Sequence, residues 1–159
     1  MHALITSRLD YGNVLLYGIN NSLIGRLQRV QNRTARLITR THRCDHITPI
    51  LKELHWLPIN CRPTFKILLY TYKALNGIAP KYLSDNLTIY TPARNLRSQA
   101  KSLLVVPKTH TATYCNKIFG FSAAELWNSL PEYVKSSTNV NIFKKHVKTL
   151  LFKAAYDWW

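Results

Sequence analysis

Acidic side chains are scarce: 7 Asp and Glu stand against 22 Lys and Arg in 159 residues, a formal net charge of +15. A magnesium-dependent polymerase or nuclease centre gathers carboxylates, because hard cations take oxygen ligands and their charge is balanced locally. The acids Asp10, Asp45, Glu53, Asp85, Glu125, Glu132 and Asp157 include no adjacent pair, so no catalytic residues and no metal site are expected. Cysteine is equally sparse. Cys44, Cys61 and Cys115 are far apart and odd in number, which excludes a disulfide framework and fits a reducing compartment. Glycine, with 5 residues, forms no phosphate-cradling loop, and neither a Walker lysine nor a nucleophile elbow is present. No apolar run approaches the roughly 20 residues of a membrane span. Thr6, Ser7, Arg8 and Asp10 interrupt any signal-peptide core, so the expected location is intracellular, in cytoplasm or nucleus.

What is present is apolar enough to fold, at 47% hydrophobic residues, and unevenly charged. Residues 1–43 carry seven arginines and one acid, and residues 92–117 carry five bases and no acid. Two such tracts make a field that attracts polyanions, nucleic acid being the commonest in a cell.

Hydrophobic periodicity predicts helices. The segment from Ala3 to Tyr17 reads as a helix loosely broken near Gly12, and it begins without a cap, which allows Met1 to be a truncation point. Asn20, Asn21 and Ser22 supply a turn and cap for a helix over 22–40. In it Leu23, Leu27, Val30, Thr34 and Leu37 recur at four and three, the spacing of a core stripe. Arg26, Arg29, Arg33, Arg36 and Arg40 recur at three and four as well, about a quarter turn or slightly more around the helix. Aligned guanidiniums repel one another, and this helix has no acid to offset them. They serve either as a solvated face snorkelling over apolar neighbours or as contacts to phosphate.

Further helices are expected over Thr48–Leu54, with Thr48 as N-cap, over Asn60–Asn76 closed by Gly77, and from Pro80 to about Leu87. Ser122 caps another that ends at Pro131, and the last runs from about Val140 to Tyr156. Leu103–Val106 is the best strand, with Tyr114–Phe121 returning as its partner. The expected fold is therefore mainly α, a small domain of five to seven helices with one short β-hairpin near 103–121. A basic helical segment, 1–43, and a C-terminal region, 44–159, are expected to form one compact unit.

Two other constellations bear on chemistry. His42, Cys44, His46, His55 and Cys61 are ligand types that zinc prefers, but their spacings fit no standard finger. Cys61 sits beside a helix start, where a thiol pKa can fall, without a spaced His and Asp to make it a nucleophile. In the second basic tract Arg94, Arg97 and Lys101 lie between Tyr90 and Tyr114, a mixture suited to phosphate contact with base stacking on a single strand.

Several blocks carry a resemblance. Ser7-Arg8-Leu9-Asp10-Tyr11-Gly12-Asn13, Leu27-Gln28-Arg29-Val30-Gln31-Asn32-Arg33 and Ala35-Arg36-Leu37-Ile38 resemble the region after the palm in LINE-type, non-long-terminal-repeat retrotransposon reverse transcriptases. His46-Ile47-Thr48-Pro49, Leu51 to Pro58, Tyr72-Lys73-Ala74-Leu75-Asn76-Gly77 and Leu126 to Pro131 resemble the C-terminal portion of such elements in the jockey-like and chicken-repeat groups. The blocks keep the family's order across nearly the whole chain. The family's Tyr-x-Asp-Asp polymerase segment and its endonuclease domain have no counterpart here, so polymerase activity passes to no residue. The resemblance implies the thumb end and following segment of an RNA-directed DNA polymerase, without cofactor or catalysis of its own. Its implied partners are RNA or an RNA/DNA hybrid and the missing upstream polymerase domains. Expected contact residues are Arg26, Arg29, Arg33, Arg36, Arg40, Arg94, Arg97 and Lys101. The alternatives are a helical fragment that only packs on those domains, marked by an exposed apolar face on residues 3–17, and a domesticated interaction domain using its C-terminal Lys/Trp helix, with Trp158 and Trp159.

Overall fold

A computed structural model of the chain describes residues 2–92, 102–108 and 118–156. It is mainly helical, with eight α-helices and one 3-10 turn among the described residues. The chain divides into two compact units, residues 1–63 with 148–159, and residues 64–147. No described helix is long and apolar enough to cross a membrane.

The first unit opens with α1 (His2–Asp10), stopped where Gly12 takes a left-handed φ of 60°, and continues through a 3-10 turn, Asn13–Leu16. The helix α2 (Asn21–Thr39) begins at Asn20, whose side chain accepts from the Ser22 N–H at 2.9 Å and so satisfies one orphan donor of the first turn. It ends at Arg40, left-handed at φ 54°. The next helix, α3, spans Ile47–Glu53. Its N-cap position is His46, which makes no side-chain cap bond, and Thr48 lies inside the helix instead of capping it. The unit also contains the start of α4 (Cys61–Leu75) and the end of the last helix.

The core here joins Ala35, Ile50, Leu51, Trp56 and Tyr156. Ala35 is wholly buried and has only a methyl group, which lets α3 pack close to α2. Polar side chains complete the packing. Gln31 Nε2 donates to the Leu57 carbonyl at 2.9 Å, and Gln28 Oε1 accepts from the Ile59 N–H at 2.9 Å. Arg62, buried, donates from Nε to the same Leu57 carbonyl at 3.1 Å and from Nη1 to Asp10 Oδ1 at 2.6 Å.

These bonds overturn one expectation. The stripe from Leu23 to Leu37 is not the core face of α2: of its members only Thr34 is buried, Leu27 is half-buried, and Leu23, Val30 and Leu37 are 48%, 45% and 60% exposed, whereas Gln31 and Ala35 join Thr34 on the buried face. The two glutamines satisfy the backbone of residues 57–59, and that requirement turns the more apolar row toward solvent.

The second unit holds the rest of α4, then α5 (Lys81–Ser84), α6 (Phe119–Ser129), α7 (Glu132–Lys135) and the start of α8 (Val140–Tyr156). Its core stacks Tyr72 on Phe143 at 4.3 Å between ring centroids, with Trp127 at 6.0 Å from Phe143. The Tyr72 hydroxyl donates to the Ser137 carbonyl at 2.6 Å. Gly77 leaves α4 at φ 68°, as its place after the last apolar residue predicted. Helix α6 starts at Phe119, so Ser122 is not its cap: its hydroxyl bonds back to the Ile118 carbonyl at 3.1 Å.

The expected β-hairpin is not found among the described residues. Leu104 forms an isolated antiparallel bridge with Ile89, through Tyr90 N–H to the Leu103 carbonyl at 2.9 Å and Val105 N–H to the Thr88 carbonyl at 2.8 Å. On its other side the Asn128 side chain of α6 accepts from the Leu104 N–H and donates to its carbonyl, both at 2.9 Å. With both edges of Leu103–Val105 engaged, no edge is left there for a returning strand. Residues 109–117 lie outside the described residues, and Phe119–Phe121 are helical.

Candidate nucleic-acid interface

Helix α2 positions the arginine row. Its 19 residues span about 28 Å at 1.5 Å per residue, so the row from Arg26 to Arg36 extends about 15 Å along one side, with Arg40 at the left-handed C-cap beyond it. Arg26, Arg29, Arg33 and Arg40 are exposed and Arg36 is half-buried. None of the five forms an ion pair with a described carboxylate. Two are held by backbone: Arg29 Nε donates to the Gly25 carbonyl at 3.4 Å, and Arg36 Nη2 to the Asp45 carbonyl at 3.0 Å. Arg36 Nε is buried with no hydrogen-bond partner among the described residues.

The row is costly in isolation. Successive arginines at three- and four-residue spacings repel by about 0.2–0.5 kcal/mol per pair, on the order of 1–2 kcal/mol in sum. Part of this is offset at the carboxyl end, where Arg36 and Arg40 meet the negative pole of the helix dipole. The amino-terminal members receive no such compensation.

At that end the chain turns, and Arg33, Arg36, Arg40 and Arg43 surround an open concavity of about 640 Å³ with Leu37 and Thr41. Thr41 is fixed there by its N–H to the Arg36 carbonyl at 3.1 Å and by a 2.6 Å contact between its hydroxyl and that of Thr39. Sequence reasoning counted Arg43 in the basic tract but did not place it in the site. Its signal was the left-handed break at Arg40, which no helical period reveals. A concavity with four guanidiniums and no acid in its lining concentrates anions by field as well as by hydrogen bonding.

Arg94, Arg97 and Lys101 lie outside the described residues, as does Tyr114. Tyr90 is exposed beside the Ile89 bridge in the second unit.

The suggested metal ligands do not gather: among the described residues no three His, Cys, Asp or Glu side chains lie close enough to hold an ion. His42 Nδ1 accepts from the Cys44 N–H at 3.4 Å, and His55 stacks on Phe152 at 5.9 Å. Cys61 does not have the lowered thiol pKa that a helix start can give, because burial pushes it up.

No family model matches the chain, and no curated protein or solved structure matches it.

Proposed function

We propose that the chain is a nucleic-acid-binding piece of a non-long-terminal-repeat retrotransposon reverse transcriptase, the part beyond the polymerase palm, with no catalytic step of its own. One observation carries the binding half of this reading: four arginines in a row on α2 and a fifth at its C-cap, four of the five exposed, none tied to a described carboxylate. The ordered sequence blocks that resemble such elements support the parentage. The ligand is RNA or an RNA/DNA hybrid, held through phosphates and so without strong sequence preference.

Fluorescence anisotropy with a labelled single-stranded RNA, repeated across salt concentrations, tests it. Counterion release makes log K fall linearly with log salt, by about 0.7 per phosphate contacted on a single strand. Arg33→Ala or Arg36→Ala lowers affinity for all sequences alike and reduces the slope by about one contact's worth. An affinity indifferent to salt overturns the reading.

A second reading has its own observation. Leu4, Tyr11 and Leu15 are exposed in the first unit, as are Leu23, Val30 and Leu37 on α2. Such a surface fits a fragment that packs on upstream polymerase domains. Solubility that improves on co-expression with those domains, without any affinity for RNA, favours this reading over the first.

A further inference from the structure

Helix α2 carries a column of amides as well as its row of arginines. Asn21, Gln28 and Asn32 are seven and four residues apart and share one side of the helix, with Gly25 among them. Facing them are Ile47, Thr48 and Leu51 of α3 and the turn at Pro58 and Asn60, and together they enclose an open pocket of about 540 Å³. That volume lies within the roughly 300–1,000 Å³ of small-molecule sites. The lining is aliphatic and amide, with Thr48 and the Tyr156 phenol beside them, and it contains no charged side chain.

Hydrogen bonding fixes which polar atoms face the space. Gln28 is engaged at both ends: Nε2 donates to Asn32 Oδ1 at 2.8 Å, and Oε1 holds the Ile59 N–H. The first bond orients Asn32, leaving its Nδ2 donors without a partner among the described residues. The side chains of Asn21, Asn60 and Thr48 make no hydrogen bond with any described residue either. Donors and acceptors of this kind, set over an aliphatic floor, match the edge of a nucleobase, which Asn and Gln read through paired bonds.

Arg29 joins this pocket to the arginine row. Its Nε donates at 3.4 Å to the carbonyl of Gly25, a pocket residue, which ties the guanidinium to the helix turn that lines the pocket. A Cβ placed on Gly25 would meet nothing within 4 Å, so the space over this part of the helix is open. Phosphate recognition and base recognition thus lie side by side, as one nucleotide requires. Bases in a duplex are stacked and paired, whereas those of a single strand can be splayed into a pocket.

We infer that this pocket receives one unstacked base of a single-stranded polynucleotide whose adjoining phosphate rests on Arg29. The inference rests on the nucleic-acid reading above and adds a base-dependent contribution to it.

The test compares, by fluorescence anisotropy on the full chain, a short oligoadenylate with an abasic strand of the same length and the same number of phosphates. The oligoadenylate is expected to bind about tenfold more tightly at equal salt, with the same salt slope. Gly25→Leu fills the pocket and Asn32→Leu removes its oriented donor. Each reduces the preference toward equality while affinity for the abasic strand is retained. Leucine is a better helix former than glycine, so Gly25→Leu keeps α2 folded, which a thermal melt verifies. Asn32→Leu provides the same readout independently. Equal binding of the two strands, or a preference that survives both substitutions, overturns the pocket and leaves the phosphate reading intact. Binding of neither strand overturns both.

Discussion

The Tyr156 hydroxyl donates to the Trp56 carbonyl oxygen at 2.6 Å, joining residues one hundred positions apart in the first unit. The Tyr156 ring meets Phe152 edge-on at 4.7 Å, and Lys52 Nζ lies 6.0 Å from its centroid. The last helix is thereby fastened to the core formed by Ala35, Ile50 and Leu51. Tyr156→Phe keeps the ring and removes the donor from a buried acceptor, at a cost of about 1–2 kcal/mol. Urea unfolding followed by far-ultraviolet circular dichroism measures it. An unchanged midpoint contradicts the role given to this bond.

The same phenol makes the first unit sensitive to alkali. Burial pushes its pKa up to about 12, the nearby Cys61 thiol adds to the rise, and Arg62 opposes it. The folded value lies above the unfolded one, so the neutral phenol favours the fold. Its contribution is complete below about pH 10 and is lost as pH rises from there toward 12. Unfolding midpoints across that window should decline, and Tyr156→Phe should decline less steeply.

The cysteines differ in reactivity for a related reason. Burial raises the Cys61 thiol pKa, while Cys44 is exposed. Since the thiolate is the nucleophile, iodoacetamide at neutral pH is expected to modify Cys44 well before Cys61. Peptide mapping by mass spectrometry reads the order, and preferential labelling of Cys61 contradicts it.

Two helical glycines should respond oppositely to alanine. At Gly120 a Cβ would lie 2.8 Å from the Asn86 carbonyl oxygen, so Gly120→Ala forces backbone apart at a cost of roughly 1–3 kcal/mol. At Gly25 the added methyl meets nothing within 4 Å, so Gly25→Ala gains up to about 1 kcal/mol of helix propensity. Thermal melts of the two variants should shift in opposite directions.

Local signals were legible in the sequence because they act within a turn or two. The Asn20 cap, the left-handed Gly77 and the bounds of α8 at Val140 and Tyr156 all follow from neighbouring residues. The buried face of α2 does not. Leu23, Val30 and Leu37 outrank Gln28 and Gln31 on any hydrophobic scale, yet the glutamines meet backbone groups 26 and 31 residues away. The strand partner of Leu104 was equally hidden, since it is half backbone at Ile89 and half a side chain at Asn128. The arginine row could be read from spacing alone because exposed residues obey helical geometry without competition. The amide column obeys it too, but amides are ordinary on helix surfaces, and only the facing turn at Pro58 and Asn60 makes them a pocket.

The Asn128 side chain stands in for an entire neighbouring strand at Leu104. A sheet would lend such a segment many partners added one after another, whereas here a single rotamer supplies two of them at once. Changing that one amide therefore releases two backbone groups of Leu104 together.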